Sequence, residues 1–303
     1  MASPRLLGRS AYRELVWAAL PTATLRASLL CAAGPRAYTT HSTQPRLTLS
    51  NNRAAALSVT KTGRAHHRAM SSSFSTIPAQ AISELEKYTA CDVSDALLKL
   101  KVPGAGFIAD LTQYSPRNKQ ERVVVAPVST VLFTAKDEDP TTASTRPAPN
   151  FPKDTHWVDN AVPGTFAVMQ QAAGQTNAIC GGIMALRMQV LGLKGIIVAG
   201  RVRDLIELQS TELPIWALGT STVGSGGSST PWAREVPLTI NGVRVAPGDL
   251  AVHDPVNGVV VIPQDKVTQV LELLPKLTSA DDKAKADVAL GVSVKEAFQR
   301  HRG

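Results

Sequence analysis

A mixed α/β fold, in which helices cover a sheet, is predicted by three features of the 303-residue sequence. Segments of helical and strand pattern alternate through the middle of the chain. Residues 122–133 (RVVVAPVSTVLF) are β-branched and apolar almost throughout, the profile of a strand covered on both faces. Short strands then follow one another across tight turns at Asn241-Gly242, Pro247-Gly248-Asp249 and Asn257-Gly258.

Taken in order, residues 78–88 have helix-forming composition, with Ile82, Leu85 and Tyr88 on one apolar stripe. Residues 90–100 (ACDVSDALLKL) form a second short helix, with Asp92 or Ser94 placed to cap it. The folded unit therefore spans residues 77–303. A Pro/Gly turn at residues 102–106 leads to the buried strand, within which Pro127 implies a bulge or break. Residues 136–153 read as a surface loop and residues 165–171 as a strand. Over residues 181–195 the apolar positions Ile183, Met184, Leu186, Met188, Val190 and Leu191 give a helix, with Gly192 as its stop. A short buried strand (residues 195–199), the start of a helix (204–209) and a strand (214–218) precede the Gly/Ser-rich residues 219–229. Three short strands, residues 236–245, 250–253 and 258–263, complete the sheet. The tail, residues 264–301, is helical, with Val267, Val270, Leu271, Leu273 and Leu274 at amphipathic spacing.

The formal net charge of +8 would suggest a nucleic-acid or membrane partner if it were spread over the fold. It is not. Before Glu84 there are ten basic residues, nine of them Arg, against one acid, Glu14; the rest of the chain holds 22 basic and 23 acidic residues. Neither nucleic acid nor membrane is expected as a partner. The Arg-rich, Ser/Thr-rich, acid-poor residues 1–76 have the composition of a disordered organellar presequence, and mitochondrial import is expected. Initiation at Met70 would instead leave a cytoplasmic protein. Cys31, Cys91 and Cys180 form no CxxC pair, so neither a disulfide framework nor a zinc knuckle is indicated. No Rossmann or phosphate-loop fingerprint occurs, since residues 224–230 lack the lysine that a phosphate loop needs.

Chemistry concentrates where the buried strand beginning at Gly195 meets a glycine turn and then Arg203-Asp204. Ligands of α/β folds bind at the carboxyl ends of strands. An Arg fork recognises a carboxylate bidentately, and an adjacent Asp offers the oxygen ligand that Mg²⁺ or Mn²⁺ prefers. A surface ion pair is the plainer reading of the same two residues. His156, His253 and Cys180 sit in no nucleophile motif and read as loop, strand and packing residues. Residues 219–230 are either a loop flanking the site or a plain surface loop.

Around this pair the chain resembles the RraA-like family of 4-hydroxy-4-methyl-2-oxoglutarate aldolases and oxaloacetate decarboxylases. The resemblance rests on residues 91–97 (CDVSDAL), Pro163-Gly164, residues 181–185 (GGIMA), residues 247–250 (PGDL) through Asp254, and residues 258–263 (GVVVIP), in order over roughly residues 80–275. It departs from the family at Gly182 and Ala199, where the family carries acids. The resemblance implies a swivelling β/β/α sandwich, a homotrimer or hexamer, and a lyase that forms pyruvate from a small oxo-acid through a metal-bound enolate. Asp204 would ligate Mg²⁺ or Mn²⁺, and Arg203 would bind substrate and stabilise the enolate oxygen. Backbone N–H groups of Gly181, Gly182, Ile183 and Met184 would hold a carboxylate, as helix N-termini do. Glu207 or Asp254 could replace the acid missing at 182. Retro-aldol cleavage needs a base where decarboxylation of oxaloacetate does not, so decarboxylation is the favoured activity. The alternatives are a protein-binding regulator that has lost catalysis and a same-fold enzyme recruited to a specialised substrate.

Overall fold

The computed structural model describes residues 77–116, 122–137 and 146–302. The expected leader, residues 1–76, lies outside the described residues, as do residues 138–145 of the expected surface loop.

Two short helices open the fold, α1 (Ala79–Leu85) and α2 (Ala90–Lys99). The cap of α2 is Thr89 and not Asp92 or Ser94: the Thr89 side chain accepts from the Asp92 N–H while the Asp92 carboxylate accepts from the Thr89 N–H. This is a reciprocal capping box, in which Asp92 fills the third helical position. Strands β1 (Thr112–Ser115), β2 (Val124–Ala135), β3 (Phe166–Gln170) and β4 (Ala178–Cys180) lead to helix α3 (Gly182–Val190). Strand β5 (Gly195–Val202), helix α4 (Leu205–Ser210) and strand β6 (Ile215–Thr220) follow. After β7 (Ser229–Arg234) come two hairpins, β8 (Leu238–Ile240) with β9 (Val243–Val245), and β10 (Leu250–Asp254) with β11 (Gly258–Ile262). Helices α5 (Val267–Ala289) and α6 (Val294–His301) form the tail.

Among the described residues one sheet runs in the order β1-β6-β5-β3-β2-β10-β11, with β4 added beside β5 and β7 beside β2. Strands β2, β3, β5 and β6 are mutually parallel, and β1, β7 and β10 run against them. The long β2 holds this arrangement together because β10 and then β7 share one of its edges while β3 takes the other. Pro127 causes no bulge: its register with Leu250 is regular, and the one irregularity of β2 against β7 falls between Leu132 and Phe133. The Val128 N–H donates to Asp249 on the β10 side, so position 127 faces the other edge, where β3 pairing begins only at Val128. The missing donor of proline therefore costs no ladder bond there.

Three apolar layers follow from the period-two alternation of the strands. Ile197, Ala199 and Trp216 pack on one side of the sheet with Leu238, Ile240, Val243 and Val245 of the β8-β9 hairpin. Ile196, Val198, Met169 and Ala217 pack on the other with Ala185 and Met188 of α3 and Leu208 of α4. Val125, Leu250, Val252, Val260 and Ile262 are covered by α1, α2 and α5 through Leu85, Val93, Leu97, Val270 and Leu274. Helix α3 buries only part of its apolar surface: Ile183, Leu186 and Val190 are exposed, as is Ile206 on α4. Among the described residues no helix is long and apolar enough to cross a membrane.

His253 is fully buried in β10, where its Nδ1 accepts from Trp216 Nε1 at 2.8 Å and its Nε2 has no partner among the described residues. Burial pushes the imidazole down from 6.5 to about 4, against a smaller opposing pull from the Asp254 carboxylate. The unfolded chain thus takes up this proton first, and stability is lost as pH falls from about 6.5 towards 4. At pH 4.5 the loss from this one group is on the order of 2 kcal/mol. Urea unfolding at pH 7 and pH 4.5 is expected to show a smaller acid penalty for His253→Gln, which keeps an acceptor for Trp216 but does not titrate. Equal penalties in the two proteins would contradict this assignment.

Candidate active site

Two crossover connections bring the chemistry together at one end of the parallel strands. Strand β4 ends at Cys180 and turns through Gly181 into α3, while β5 ends at Val202 and turns through Arg203 and Asp204 into α4. The two turns are tied by the Arg203 N–H donating to the Cys180 carbonyl at 3.0 Å. Asp204 adopts a left-handed backbone conformation (φ 58°, ψ 50°). Asp tolerates that region better than most side chains. Its carboxylate lies over the start of α3, where Oδ2 accepts from the Gly182 N–H at 3.4 Å and from Arg203 Nε at 3.0 Å. Both bonds fall on Oδ2, and the Asp204 Oδ1 has no hydrogen bond among the described residues.

This approach needs glycine at both positions of the α3 entrance. A Cβ at Gly181 would lie 2.7 Å from Asp204 Oδ2, and one at Gly182 would lie 1.8 Å from Glu207 Oε2 and 2.5 Å from Glu207 Cβ. Glu207, one turn after Asp204 on α4, thus occupies the space a side chain at 182 would fill. Ile183 faces solvent and Met184 packs against the apolar layer beneath α3, so these two contribute backbone alone. The expected anion cradle is partly taken by the protein's own Asp204 carboxylate, which the Gly182 N–H already faces.

Asp254 is not brought here. Strand β10 is antiparallel to β2, and its end pairs near the beginning of β2, whereas β5 runs parallel to β2 and β3 and ends at their carboxyl side. Asp254 sits at the opposite end of the sheet, accepting from the backbone N–H groups of Ala90, Val256 and Asn257 and from the Asn257 side chain. These donors hold its carboxyl below the usual range despite burial. It fastens α2 to the β10-β11 turn.

The Gly/Ser-rich loop flanks the site. A Cβ at Gly224 would lie 2.9 Å from Arg203 Nη1, so the guanidinium lies against this residue's backbone. The loop is held by Ser221 N–H to the Val202 carbonyl, by Ala178 N–H to the Val223 carbonyl, and by a buried network. In that network Gln171 Nε2 donates to the Asn177 carbonyl and to Ser229 Oγ, while Gln171 Oε1 accepts from the Arg201 N–H. Arg201 is a residue the sequence reading passed over. It lies near the end of β5, two positions before Arg203 in the turn that follows, and its Nη1 donates to the Thr220 carbonyl at 3.0 Å. The i, i+2 spacing of two arginines at a strand end is the signal that could have found it.

Other candidates take structural places. Cys180 is buried beside Asp204, and burial with that negative charge pushes its thiol up to about 12, which keeps it an inert thiol. His156 Nδ1 accepts from the Val158 N–H at the start of a short helical turn. Ala199 packs in the apolar layer under the β8-β9 hairpin.

A carboxylate with one oxygen unpartnered among the described residues thus lies beside a guanidinium at the end of a parallel strand of this α/β fold. The chain belongs to the RraA-like family (Aldolase/RraA), whose profile matches residues 90–261. Among curated relatives it is 34% identical over 125 residues to a Halalkalibacterium halodurans protein named "Putative 4-hydroxy-4-methyl-2-oxoglutarate aldolase", a match covering 41% of this chain and 58% of that protein. It is 24% identical over 220 residues to Protein DlpA of Legionella pneumophila, covering 71% of this chain and 33% of that one. The chain thus spans less than two thirds of either relative. Among solved structures, an uncharacterised protein from Pseudomonas syringae pv. tomato has a TM-score of 0.58 at 21% identity, covering 74% of this chain and 99% of that one. Streptomyces coelicolor RraAS2, described as an unusual member of the RNase ES inhibitor RraA family, has a TM-score of 0.54 at 24% identity, covering 71% and 98%. These two structures share the fold.

Proposed function

We propose that this chain is a divalent-metal-dependent carbon–carbon lyase that releases pyruvate from a small 2-oxo acid, by decarboxylation of oxaloacetate, by retro-aldol cleavage of 4-hydroxy-4-methyl-2-oxoglutarate, or both. The observation that carries the reading is the Arg203–Asp204 pair at the end of β5, with Asp204 Oδ1 left without a partner among the described residues.

The residues present fit Mg²⁺ or Mn²⁺. Among the described residues no group of three His, Cys, Asp or Glu converges on one point, so the chain offers one or two carboxylates. Magnesium is commonly held in that way, through one or two carboxylates with most of its waters kept. When bound, the metal would supply Lewis-acid polarisation of the 2-oxo group. Asp204 would hold it through the free oxygen while its other oxygen stays fixed by Gly182 and Arg203. Arg203 commits its Nε to Asp204 and keeps its Nη groups for the substrate carboxylate and for charge developing on the 2-oxo oxygen. Arg201 adds a second cation at the same strand end and favours dianionic substrates. Helix α3 points its positive end at the same place.

The test is pyruvate release from each substrate by protein starting near Ser71, with Mg²⁺ or Mn²⁺. Turnover of either one supports the lyase. A folded protein that turns over neither substrate with either metal would sink the reading. It would favour the protein-binding regulator, for which the alanine at 199, packed in the apolar layer, is the specific support.

A further inference from the structure

The two reactions proposed above differ in one requirement. Loss of carbon dioxide from oxaloacetate needs no base, because the leaving carboxylate carries no proton. Cleavage of a 4-hydroxy-2-oxo acid does need one: as the C3–C4 bond breaks and its electron pair passes to C3 to form the enolate of pyruvate, the C4 hydroxyl must lose its proton to become a carbonyl. Arg203 cannot take that proton, and Asp204, with Oδ2 on Gly182 and Arg203, is the proposed metal ligand through Oδ1.

We propose that Glu207 is the base of the retro-aldol reaction, a role that rests on the lyase reading. Three features of its placement support this. It stands on the first turn of α4, three residues after Asp204, and the two carboxylates lie over adjacent residues of the α3 entrance, Gly181 and Gly182. Its carboxylate lies directly over Gly182 at the α3 entrance, on the point where a side chain at 182 would begin. It is exposed, and its carboxylate makes no hydrogen bond or ion pair among the described residues, so both oxygens are available. Asp254, the other acid that the sequence offered, has its carboxylate occupied at the far end of the sheet.

The hydroxyl proton passes to the Glu207 carboxylate, directly or through one water, and C4 leaves as the carbonyl of one product. The enolate then takes a proton at C3, and Glu207 returns to its ionised form. No oxidant, reductant or further reactant is needed.

The geometry also makes Gly182 and Glu207 exclusive neighbours. Because the Cβ of a side chain at 182 would come within 2.5 Å of Glu207 Cβ, rotation of Glu207 cannot relieve the overlap. A carboxylate placed at 182 and one at 207 compete for the same space, and either one alone would serve.

The experiment compares wild type, Glu207→Gln, Gly182→Asp and the exchange variant Gly182→Asp/Glu207→Gly, measuring kcat and KM for both substrates. Glu207→Gln keeps the size and the exposed position and removes only the base. It is expected to lower kcat for 4-hydroxy-4-methyl-2-oxoglutarate by about 100-fold or more, the usual contribution of a general base. KM should hold, and oxaloacetate decarboxylation should stay within about threefold. The exchange variant is expected to recover at least about tenfold of the lost retro-aldol rate. Gly182→Asp alone is expected to lower thermal stability by more than the same substitution does when combined with Glu207→Gly.

Equal loss of both activities in Glu207→Gln would overturn the base role in favour of a structural one, and so would an unchanged retro-aldol rate. No recovery in a folded exchange variant would overturn the equivalence of the two positions. A wild type that decarboxylates oxaloacetate but never cleaves the hydroxy acid removes the base role and leaves the lyase standing. A wild type that turns over neither substrate removes both.

Discussion

Asp204→Asn is expected to leave a folded protein whose metal-dependent pyruvate release has fallen by at least about 10³-fold, equivalent to about 4 kcal/mol of transition-state stabilisation. Asn is the informative replacement. It tolerates the left-handed backbone at 204, where Ala would add strain on the order of 1 kcal/mol, and it can still accept from the Gly182 N–H. Only the charge and the anionic oxygen are lost. The fold has little to lose: the Arg203–Asp204 pair is about 42% and 35% exposed, and exposed pairs contribute at most roughly 1 kcal/mol. EDTA should bring wild type down to the level of the variant, and added Mg²⁺ should restore wild type alone. An Asn variant that keeps more than about a tenth of the wild-type rate would place the metal elsewhere.

Arg203→Lys is expected to lower kcat/KM for oxaloacetate by about 10²-fold or more, although the charge is conserved. The reason lies in how the guanidinium is divided. Its Nε holds Asp204 at 3.0 Å, while its Nη1 lies against Gly224 in the flanking loop. A single ammonium cannot hold the carboxylate and present a fork to the substrate at once. Steady-state kinetics at fixed Mg²⁺ would show the loss in both kcat and KM, since position and transition-state charge are affected together. If Lys matched Arg within about threefold, Arg203 would be acting as a remote charge, and the bidentate role would fall.

Much of this fold was legible because its long elements carry their own periodicity. Helix α3 with its stop at Gly192, strand β5, the paired strands β10 and β11, and the helical tail all lie where pattern and turn residues put them. Strands β1 (TQYS), β4 (AIC) and β7 (STPWAR) were missed because they are short and have no alternation of their own, β1 and β7 being partly polar as well. Each exists through its partner: β1 through β6, β4 through β5, and β7 through the far half of β2. Pro127 misled for a related reason. A proline disrupts a ladder only where its missing N–H faces a paired strand, and the edge it faces is fixed by which neighbour β2 takes at that residue.

The family, the order of the main elements and the Arg203-Asp204 pair could all be read from the chain alone, because they depend on motifs and on short-range periodicity. The choice between Glu207 and Asp254, two acids that read alike along the chain, had to wait for the folded arrangement. Their separation follows from strand direction: β5 runs with β2, and β10 runs against it, so one carboxylate reaches the site while the other reaches α2 at the opposite end. Strand direction is set by pairing between segments more than a hundred residues apart, β2 with β10 for example. Local propensity carries no record of such pairing.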